Sequence, residues 1–256
     1  RKNKINFFGN YNPNFNKGRN QLHLVRRFYN EDGSLNSYAD QYTLFKGKNN
    51  NHNVKLGLDY YISNKDVVGF VVTGFGFFGR PEPHTVSDIY NADGSYQAGL
   101  VSVSDNKLKF RNYAANINYK HSFDSAGREI TIDLDYVLYD NVSDILLGTG
   151  AKDKPGTADN NLLQLKGYLP SNINIYSFKS DYAHPLGNNM KLEAGIKANY
   201  VKNDNRVDYM RMSNEAWIKD ARSNHFIYEE NINAAYVNIN KKFNDKWSAQ
   251  AGLRVE

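Results

Sequence analysis

The amino-acid sequence predicts an all-β protein whose strands form an antiparallel, up-and-down transmembrane β-barrel. Three observations favour this class: apolar and polar residues alternate, short turns alternate with long polar connections, and aromatic residues recur near the ends of the alternating segments. Aromatic residues make up 14% of the 256 residues, and such a load argues against disorder because each ring gains by leaving water.

Hydropathy alone does not predict a membrane protein. The mean hydropathy is -0.69. No stretch approaches the roughly 18 consecutive apolar residues that a transmembrane helix needs. A transmembrane β-strand, however, turns only alternate residues toward lipid, so low hydropathy is compatible with a barrel.

Four segments alternate without a break. From Met190 to Tyr200, one side of the predicted strand carries Met, Leu, Ala, Ile, Ala and Tyr, while the other carries Lys, Glu, Gly, Lys and Asn. Residues 53–62, 129–138 and 247–256 repeat the pattern. Period two indicates strands with one apolar face, because helical spacing would scatter the same residues around a cylinder.

The connections between these segments are of two kinds that alternate along the chain. The short ones are rich in turn formers and cover residues 63–66, 124–127, 185–189 and 244–246, and the long polar ones cover roughly residues 81–108, 141–171 and 203–225. Outer-membrane barrels combine short periplasmic turns with long extracellular loops. A soluble sandwich has no physical reason to place every long loop at one end.

We therefore expect about nine strands, with the first and the last both running outward. Their approximate positions are 3–16 (extending as far as 29), 38–62, 67–79, 109–123, 128–140, 172–184, 190–202, 226–243 and 246–256. A closed single-chain bacterial barrel has an even number of strands. Residues 1–256 are thus expected to form one contiguous segment of a larger barrel, with a plug domain and the remaining strands outside this sequence.

The alternation also predicts which side chains face lipid. The expected lipid-facing residues are Leu56, Ile132, Leu134, Leu192, Ile196 and Leu253. The opposite face, with charges of both signs such as Lys55, Asp133 and Lys197, is expected to line a wet lumen. Aromatic residues close to strand ends are expected to form girdles at the two membrane interfaces: Tyr60, Phe123, Tyr136, Tyr182, Tyr200 and Trp247.

One strand register can be proposed from charge. Keeping like faces together across the turn at 124–127 allows Phe123 to stand opposite Ile130, which sets Lys120 opposite Asp133 in the lumen. Such a pair is worth about 0.2 to 1 kcal/mol. A shift by two residues preserves the faces but removes the pair.

An internal repeat indicates two further hairpins. Residues 29–34 (Tyr-Asn-Glu-Asp-Gly-Ser) recur at 90–95 as Tyr-Asn-Ala-Asp-Gly-Ser, and Asp-Gly between strand-like residues is a tight-turn signal. We expect both copies to cap hairpins that extend beyond the membrane. Calcium binding is the alternative interpretation, but the further ligands of an EF-hand loop are missing.

The residue types exclude several functions. The chain has no Cys, its six His do not stand at metal-ligand spacing, and no Gly-x-Ser-x-Gly motif occurs. A net charge of +5 without a basic block disfavours nucleic acid as a partner. We expect no enzymatic activity, no cofactor and no metal.

Several segments resemble a known family. Residues 231–240 (Asn-Ile-Asn-Ala-Ala-Tyr-Val-Asn-Ile-Asn) followed by 247–256 (Trp-Ser-Ala-Gln-Ala-Gly-Leu-Arg-Val-Glu) are similar to a strand, turn, strand segment of TonB-dependent receptor barrels. Residues 178–186, 191–197 and 53–60 are similar to other hairpin segments of that family. The resemblance covers essentially the whole chain as the middle of the barrel and is greatest for the outer-membrane family typical of Bacteroidetes-type bacteria.

The resemblance implies a location and a function. It implies a barrel of about 22 strands in the outer membrane, plugged by an N-terminal domain. It also implies uptake of a scarce nutrient, powered by a TonB-type energising protein and assisted by a surface lipoprotein. Two alternatives stay open: a non-transporting barrel that is a structural subunit of an outer-membrane complex, and a soluble β-sandwich that binds carbohydrate.

The sequence leaves the substrate open. Because binding residues usually lie on loops carried by a rigid scaffold, we expect a ligand to be recognised by the three long connections. The candidates, whose rings offer stacking area and whose polar atoms can orient a solute, are Tyr90, Tyr96, Tyr168, Tyr209 and Trp217. Packing of the loops against one another is the other interpretation of these rings.

Overall fold

The computed structural model describes residues 4–153, 155, 162–187 and 189–256, and every regular element within them is a β-strand. The strands are β1 (Ile5–Tyr29), β2 (Leu35–Tyr61), β3 (Asp66–Asn91), β4 (Tyr96–Ser122), β5 (Glu129–Lys152), β6 (Leu163–Gly187), β7 (Met190–Ser213), β8 (Ala216–Lys219), β9 (Asn224–Lys242) and β10 (Ser248–Val255). The all-β class expected from the alternation is confirmed.

The ten strands form a single antiparallel sheet with up-and-down topology. Its order is β1-β2-β3-β4-β5-β6-β7-β9-β10, and β8 is a short strand that pairs with the end of β7. Nine strands therefore follow the main path, and β8 adds a tenth. No described residues form a second sheet packed on either face.

The strands are longer than the sequence predicted, and the long connections are correspondingly shorter. Of the segment 81–108, only residues 92–95 lie outside β3 and β4; of the segment 203–225, only 214–215 and 220–223 lie outside β7, β8 and β9. β5 and β6 likewise take up most of the segment 141–171, and residues 154 and 156–161 in its centre lie outside the described part of the chain. The prediction of long loops in these segments was wrong, because paired strands continue well past the apolar zone.

Two hairpin tips carry the internal repeat. In the first, Gly33 N–H donates to the Asn30 carbonyl at 3.0 Å, and Gly33 has a φ of 81°, which suits glycine. The Asp32 carboxylate accepts hydrogen bonds from the Ser34 N–H (2.9 Å) and hydroxyl (2.6 Å). Asp93 and Ser95 repeat these contacts at the same distances. The conserved geometry explains the sequence repeat as turn chemistry.

The register aligns the alternating residues of all strands on two faces. One cross-strand row runs from Leu58 through Phe70, Ile117 and Leu134 to Phe178. We call the face that carries this row the apolar face, and the other the polar face. The six residues predicted to contact lipid all lie on the apolar face, and Lys55, Asp133 and Lys197 all lie on the polar face.

The specific register proposed for β4 and β5 was wrong by two residues. Asp133 stands opposite Asn118, and Lys120 stands opposite Thr131. Lys120 stays on the polar face and forms an ion pair with Glu129 at 2.5 Å. The physical reason is the turn: Phe123 N–H donates to the Arg128 carbonyl at 2.9 Å, which leaves four residues in the turn where the predicted pairing left six.

The aromatic residues of the apolar face follow two sloping lines. The first, which we call the upper aromatic line, runs from Phe78 in β3 to Tyr200 in β7. The residues paired across the sheet with Tyr200 reach β3 at Val72, so this line shifts by six residues over four strands. The second line, at the turn end, runs from Tyr60 in β2 to Trp247 just before β10. The residues paired across the sheet with Tyr60 reach β10 eight residues after Trp247, so this line shifts by eight residues over seven strands. A line level with a membrane shifts by about 1.0 to 1.5 residues per strand when strands tilt by 35–45°. Averaged between these end residues, both aromatic lines have this slope, in the same direction; within the first line, Tyr136, Tyr176 and Tyr200 share one row.

Neighbouring rings along these lines touch. Tyr136 and Tyr176 have ring centroids 5.0 Å apart, and Tyr176 and Tyr200 are 6.3 Å apart. At the turn end, the Phe123 ring lies 6.1 Å from that of Tyr182. The geometry is that of two aromatic belts on a tilted, membrane-spanning sheet, and their contact with lipid remains a prediction.

The two faces make a direct prediction about an inserted charge. Leu134→Arg is expected to lower the free energy of unfolding in lipid vesicles by about 2 to 4 kcal/mol, because it places a charge in the apolar zone. Asn116→Arg is the matched control: Asn116 lies on the polar face and donates to Asp135 at 2.7 Å. It is expected to cost less than about 1 kcal/mol. Equal costs for the two variants would refute the assignment of the faces.

The hairpin tips predict a pH effect. Hydrogen bonds from the Ser95 hydroxyl and N–H lower the pKa of Asp93. A lowered pKa means that the carboxylate stabilises the hairpin above its ordinary pKa and that this contribution is lost as pH falls through the folded value. Ser95→Ala is expected to raise the pKa of Asp93 toward its ordinary value in an NMR titration. Asp32, held by Ser34 in the same way, is the internal control and should not change.

Candidate functional site

An aromatic cluster lies on the polar face near its middle. The Phe110 ring is 5.9 Å from Phe75 and 6.1 Å from Tyr139, both in edge-on orientations, and Phe77 stands directly opposite Phe110. We call these four residues the aromatic platform. Phe77 is adjacent to Phe78 of the upper aromatic line, so the platform lies at the height where β3 leaves the apolar zone.

Asparagine residues flank the platform on both sides. One row of the polar face runs Asn51, Phe77, Phe110, Asn141. The Oδ1 atoms of Asn51 and Asn141 are buried and have no hydrogen-bond partner among the described residues. A buried acceptor without a donor is costly and uncommon in native proteins. Both acceptors are closed to solvent in this conformation, and each stands next to a ring of the platform, Asn51 beside Phe77 and Asn141 beside Phe110.

The polar face of β1 and β2 is a ladder of asparagines. Asn12, Asn14 and Asn16 stand opposite Asn53, Asn51 and Asn49. Each asparagine amide offers two donors and an acceptor without charge. These asparagines can form hydrogen bonds with many neutral polar solutes, and they carry no charge that would bind an ion.

The turn end of the polar face is charged and internally paired. Lys179 pairs with Asp181 at 2.5 Å, and Lys191 pairs with Glu193 at 2.6 Å. Tyr236 donates its hydroxyl to Asp181 at 2.5 Å. In the described part of the chain, no three His, Asp or Glu side chains are grouped so that they could hold a metal ion.

Tyr90 and Tyr96 lie in a packed cluster at the far end of the sheet. Tyr90 stacks on Tyr38 with centroids 5.1 Å apart and meets Tyr96 edge-on at 5.7 Å. Tyr96 donates to the Lys152 carbonyl at 2.8 Å. Lys152, whose side chain is only 2% exposed, pairs with Asp88 at 2.9 Å. Both tyrosines have intramolecular packing partners here.

The three other predicted ligand contacts are spread over both faces. Trp217 is in β8 and receives the Lys166 ammonium over its ring at 4.0 Å, and Tyr168 is on the apolar face of β6. Tyr209 is on the polar face of β7, with the Arg222 guanidinium 5.5 Å from its ring. All five candidates lie in strands, so their placement in loops was wrong, and their contact with a ligand stays a prediction.

Arg222 is oriented by an acidic neighbour in the connection between β8 and β9. It forms a bidentate pair with Asp220 at 2.7 and 3.0 Å, which together with the Arg222 N–H lowers the pKa of Asp220 to about 2. The guanidinium over Tyr209 is thus fixed in place. It is a charged group near the extended end of the polar face.

Sequence reasoning missed the aromatic platform. The signal was available in Gly74-Phe75-Gly76-Phe77, where each Phe has the parity of the predicted lumen. The segment lies within residues 67–78, the longest apolar stretch of the sequence. An aromatic residue at a lumen position is the departure from simple alternation that could have indicated a site.

The fold and its two faces define a bacterial outer-membrane β-barrel protein of the antiparallel up-and-down class. The chain belongs to the outer membrane protein beta-barrel family, which matches residues 121–256. Its location is the bacterial outer membrane. Among the described residues, no helix is long and apolar enough to cross a membrane.

No curated protein matches the chain. Among solved structures, the chain is similar to the ferric yersiniabactin uptake receptor FyuA of Yersinia pestis (8% identity, 97% of this chain, 45% of that chain, TM-score 0.35). It is also similar to the ferric citrate transporter FecA in its unliganded form (8%, 98%, 44%, 0.36) and to the alcaligin outer-membrane receptor FauA of Bordetella pertussis (10%, 97%, 42%, 0.33). The chain spans less than half the length of each.

The buried ion pair at the extended end predicts an asymmetric response to substitution. Asp88→Asn is expected to destabilise this end by about 3 to 5 kcal/mol, because it leaves the Lys152 ammonium buried without a counter-charge. Limited trypsin digestion, followed by mass spectrometry, should show new cleavage after Lys152. Glu229→Gln breaks the exposed pair with Lys202 and should cost less than about 1 kcal/mol. Equal protease resistance in both variants would contradict the prediction.

Proposed function

We propose that this chain forms part of a TonB-dependent receptor that takes up a scarce nutrient, and that the polar face lines the path of the solute. The observation that supports this most directly is the row Asn51, Phe77, Phe110, Asn141. Ring faces with flanking acceptors are a common arrangement for holding a polar solute with an apolar side. A barrel with a purely structural function has no need for it.

The arrangement of the polar face favours passage over tight storage. Neutral asparagines line β1 and β2, the platform lies at the upper membrane boundary, and charged pairs lie toward the turn end. A solute entering from the extended end would meet the platform before the charged zone. Short turns are on the periplasmic side in such barrels, so this direction is inward.

The larger assembly is part of the same proposal. In the described chain, β1 pairs only with β2, and β10 pairs only with β9. Unpaired strand edges cost several kcal/mol per polar group in hydrocarbon, so closed barrels are the rule there. We propose that further strands complete a barrel of about 22 strands of the Bacteroidetes type. A plug domain, a TonB-type energising protein and a surface lipoprotein are its proposed partners.

The platform provides the functional test. Cells with and without the whole protein are first compared for uptake of labelled solutes of four classes: a ferric chelate, a cobalamin, a neutral oligosaccharide and a short peptide. For the solute that requires the protein, Phe77→Ala is expected to raise the concentration for half-maximal uptake about fivefold, since a ring contact contributes about 1 kcal/mol.

Phe78→Ala is the matched control, because the two residues are neighbours of the same chemistry on opposite faces. It should leave uptake unchanged once the amount of protein in the outer membrane is equalised. If both variants transport normally, the platform does not contact the solute. If no solute class requires the protein and its loss instead disrupts an outer-membrane complex, the scaffold alternative replaces the transporter.

A further inference from the structure

A cluster of cations lies on the apolar face of β1, β2 and β3, beyond the apolar zone. Its members are Lys17, Arg19, Lys46, Lys48 and Arg80, and we call them the cationic patch. Lys48 has the same strand parity as Leu56, and the continuous register places the other four on that same face. The patch therefore points outward from the barrel.

Like charges stand directly opposite one another in the patch. Lys17 is opposite Lys48, Arg19 is opposite Lys46, and Lys48 is also opposite Arg80. Directly opposed like charges destabilise a sheet, because the side chains are only about 4.5 to 5.5 Å apart at Cβ. Such an arrangement is favourable when an anion lies between the cations.

The sheet itself supplies few anions. Arg80 pairs with Asp105 at 2.6 Å and with Glu82 at 3.3 Å. Within the described chain, Lys17, Arg19, Lys46 and Lys48 have no acidic side chain within 4.0 Å. Glu82 stands directly opposite Lys46, whereas Lys17, Arg19 and Lys48 stand opposite no acidic residue.

Three other outward-facing cations at the extended half of the sheet do have partners. Arg111 pairs with Asp140, Lys202 pairs with Glu229 at 2.8 Å, and Arg206 pairs with Asp208 at 2.6 Å. Lys107 and Lys109 of β4 face outward as well and have no ion pair within 4.0 Å in the described chain, so the patch is set apart by cations that stand directly opposite one another.

The height of the patch identifies the source of the anion. Phe78 ends the upper aromatic line of the apolar face at β3, Phe15 stands in the same row across Asn50, and both rings contact His52. Lys17 and Arg80 follow these rings by two residues on their strands. Two residues of a tilted strand rise by about 5 Å, the distance from the aromatic belt into the headgroup layer.

The patch also has space for a group of this kind. An open groove of about 590 Å³ lies between the cationic side chains, with Gly18, Gly47 and one acidic residue, Glu82, in its lining. Arginine and lysine are the usual partners of phosphate oxygens. We propose that the cationic patch binds a phosphate of a lipid headgroup in the outer leaflet, which holds this side of the barrel at a fixed height.

Lipid retention tests the proposal. The whole protein is reconstituted in phosphatidylcholine vesicles that contain a small fraction of bis-phosphorylated lipid A, then extracted in mild detergent, and the lipid A that stays bound is measured by mass spectrometry. The triple variant Lys17→Gln, Lys46→Gln, Lys48→Gln should retain at least tenfold less. Lipid A from which both phosphates have been removed should not be retained by either protein.

The control variant removes the same charge from the polar face: Lys55→Gln, Lys191→Gln, Lys197→Gln. It should retain lipid A as the unaltered protein does. The unaltered protein should also melt at a higher temperature with phosphorylated lipid A than without it, whereas the patch variant should show no such shift. This second measurement does not require the patch variant to match the unaltered protein in stability.

Three results would overturn the proposal. The first is equal retention by the patch variant and the unaltered protein. The second is equal retention of lipid A with and without its phosphates, which would indicate binding of the acyl chains. The third is unchanged lipid retention together with loss of a co-purifying protein, which would make the patch a protein-docking surface.

Discussion

The hydrogen-bond register between neighbouring strands is the constraint on which the rest of this structure depends. Because side chains alternate with a period of two, a shift by one residue would move every Leu and Ile of a strand to the polar face. The observed register keeps the row from Leu58 to Phe178 together across five strands. Without that alignment the sheet would have neither a lipid-compatible face nor a lumen.

The turns determine which of the permitted registers is adopted. Across β4 and β5, two registers keep the faces together and differ by two residues. The opposite-charge pair of Lys120 with Asp133 favours one of them by less than about 1 kcal/mol. The four-residue turn, in which Asp124 accepts hydrogen bonds from the N–H groups of Ala126 and Arg128, favours the other. Backbone closure prevails, and Lys120 finds Glu129 instead.

This difference explains what the sequence could and could not predict. The faces were predictable, because Met190 to Tyr200 alternates without exception and parity needs no knowledge of the partner strand. The strand ends were not predictable, since Lys46-Gly47-Lys48-Asn49-Asn50-Asn51 has no apolar period and still lies within β2. Beyond the apolar zone both faces meet water, and strand pairing there is carried by backbone hydrogen bonds and local ion pairs. The platform was missed for a related reason. The alternation predicts which face of the sheet a residue lies on, but it does not predict that aromatic residues on the polar face form a site.

A short stretch of β3 shows how the alternation serves three environments within four residues. Phe77 is in the aromatic platform of the polar face, Phe78 belongs to the aromatic line of the apolar face, and Arg80 stands in the cationic patch. Their spacing matters because a strand that crosses a boundary between hydrocarbon and headgroups must change composition on its outer face there and only there. The polar face meets no such boundary, so its composition does not have to change at this height. Between β3 and β5 to β7 the tilt of the sheet carries the boundary toward the turn end, and this is why the row of Tyr136, Tyr176 and Tyr200 lies closer to the turn end than Phe78 does.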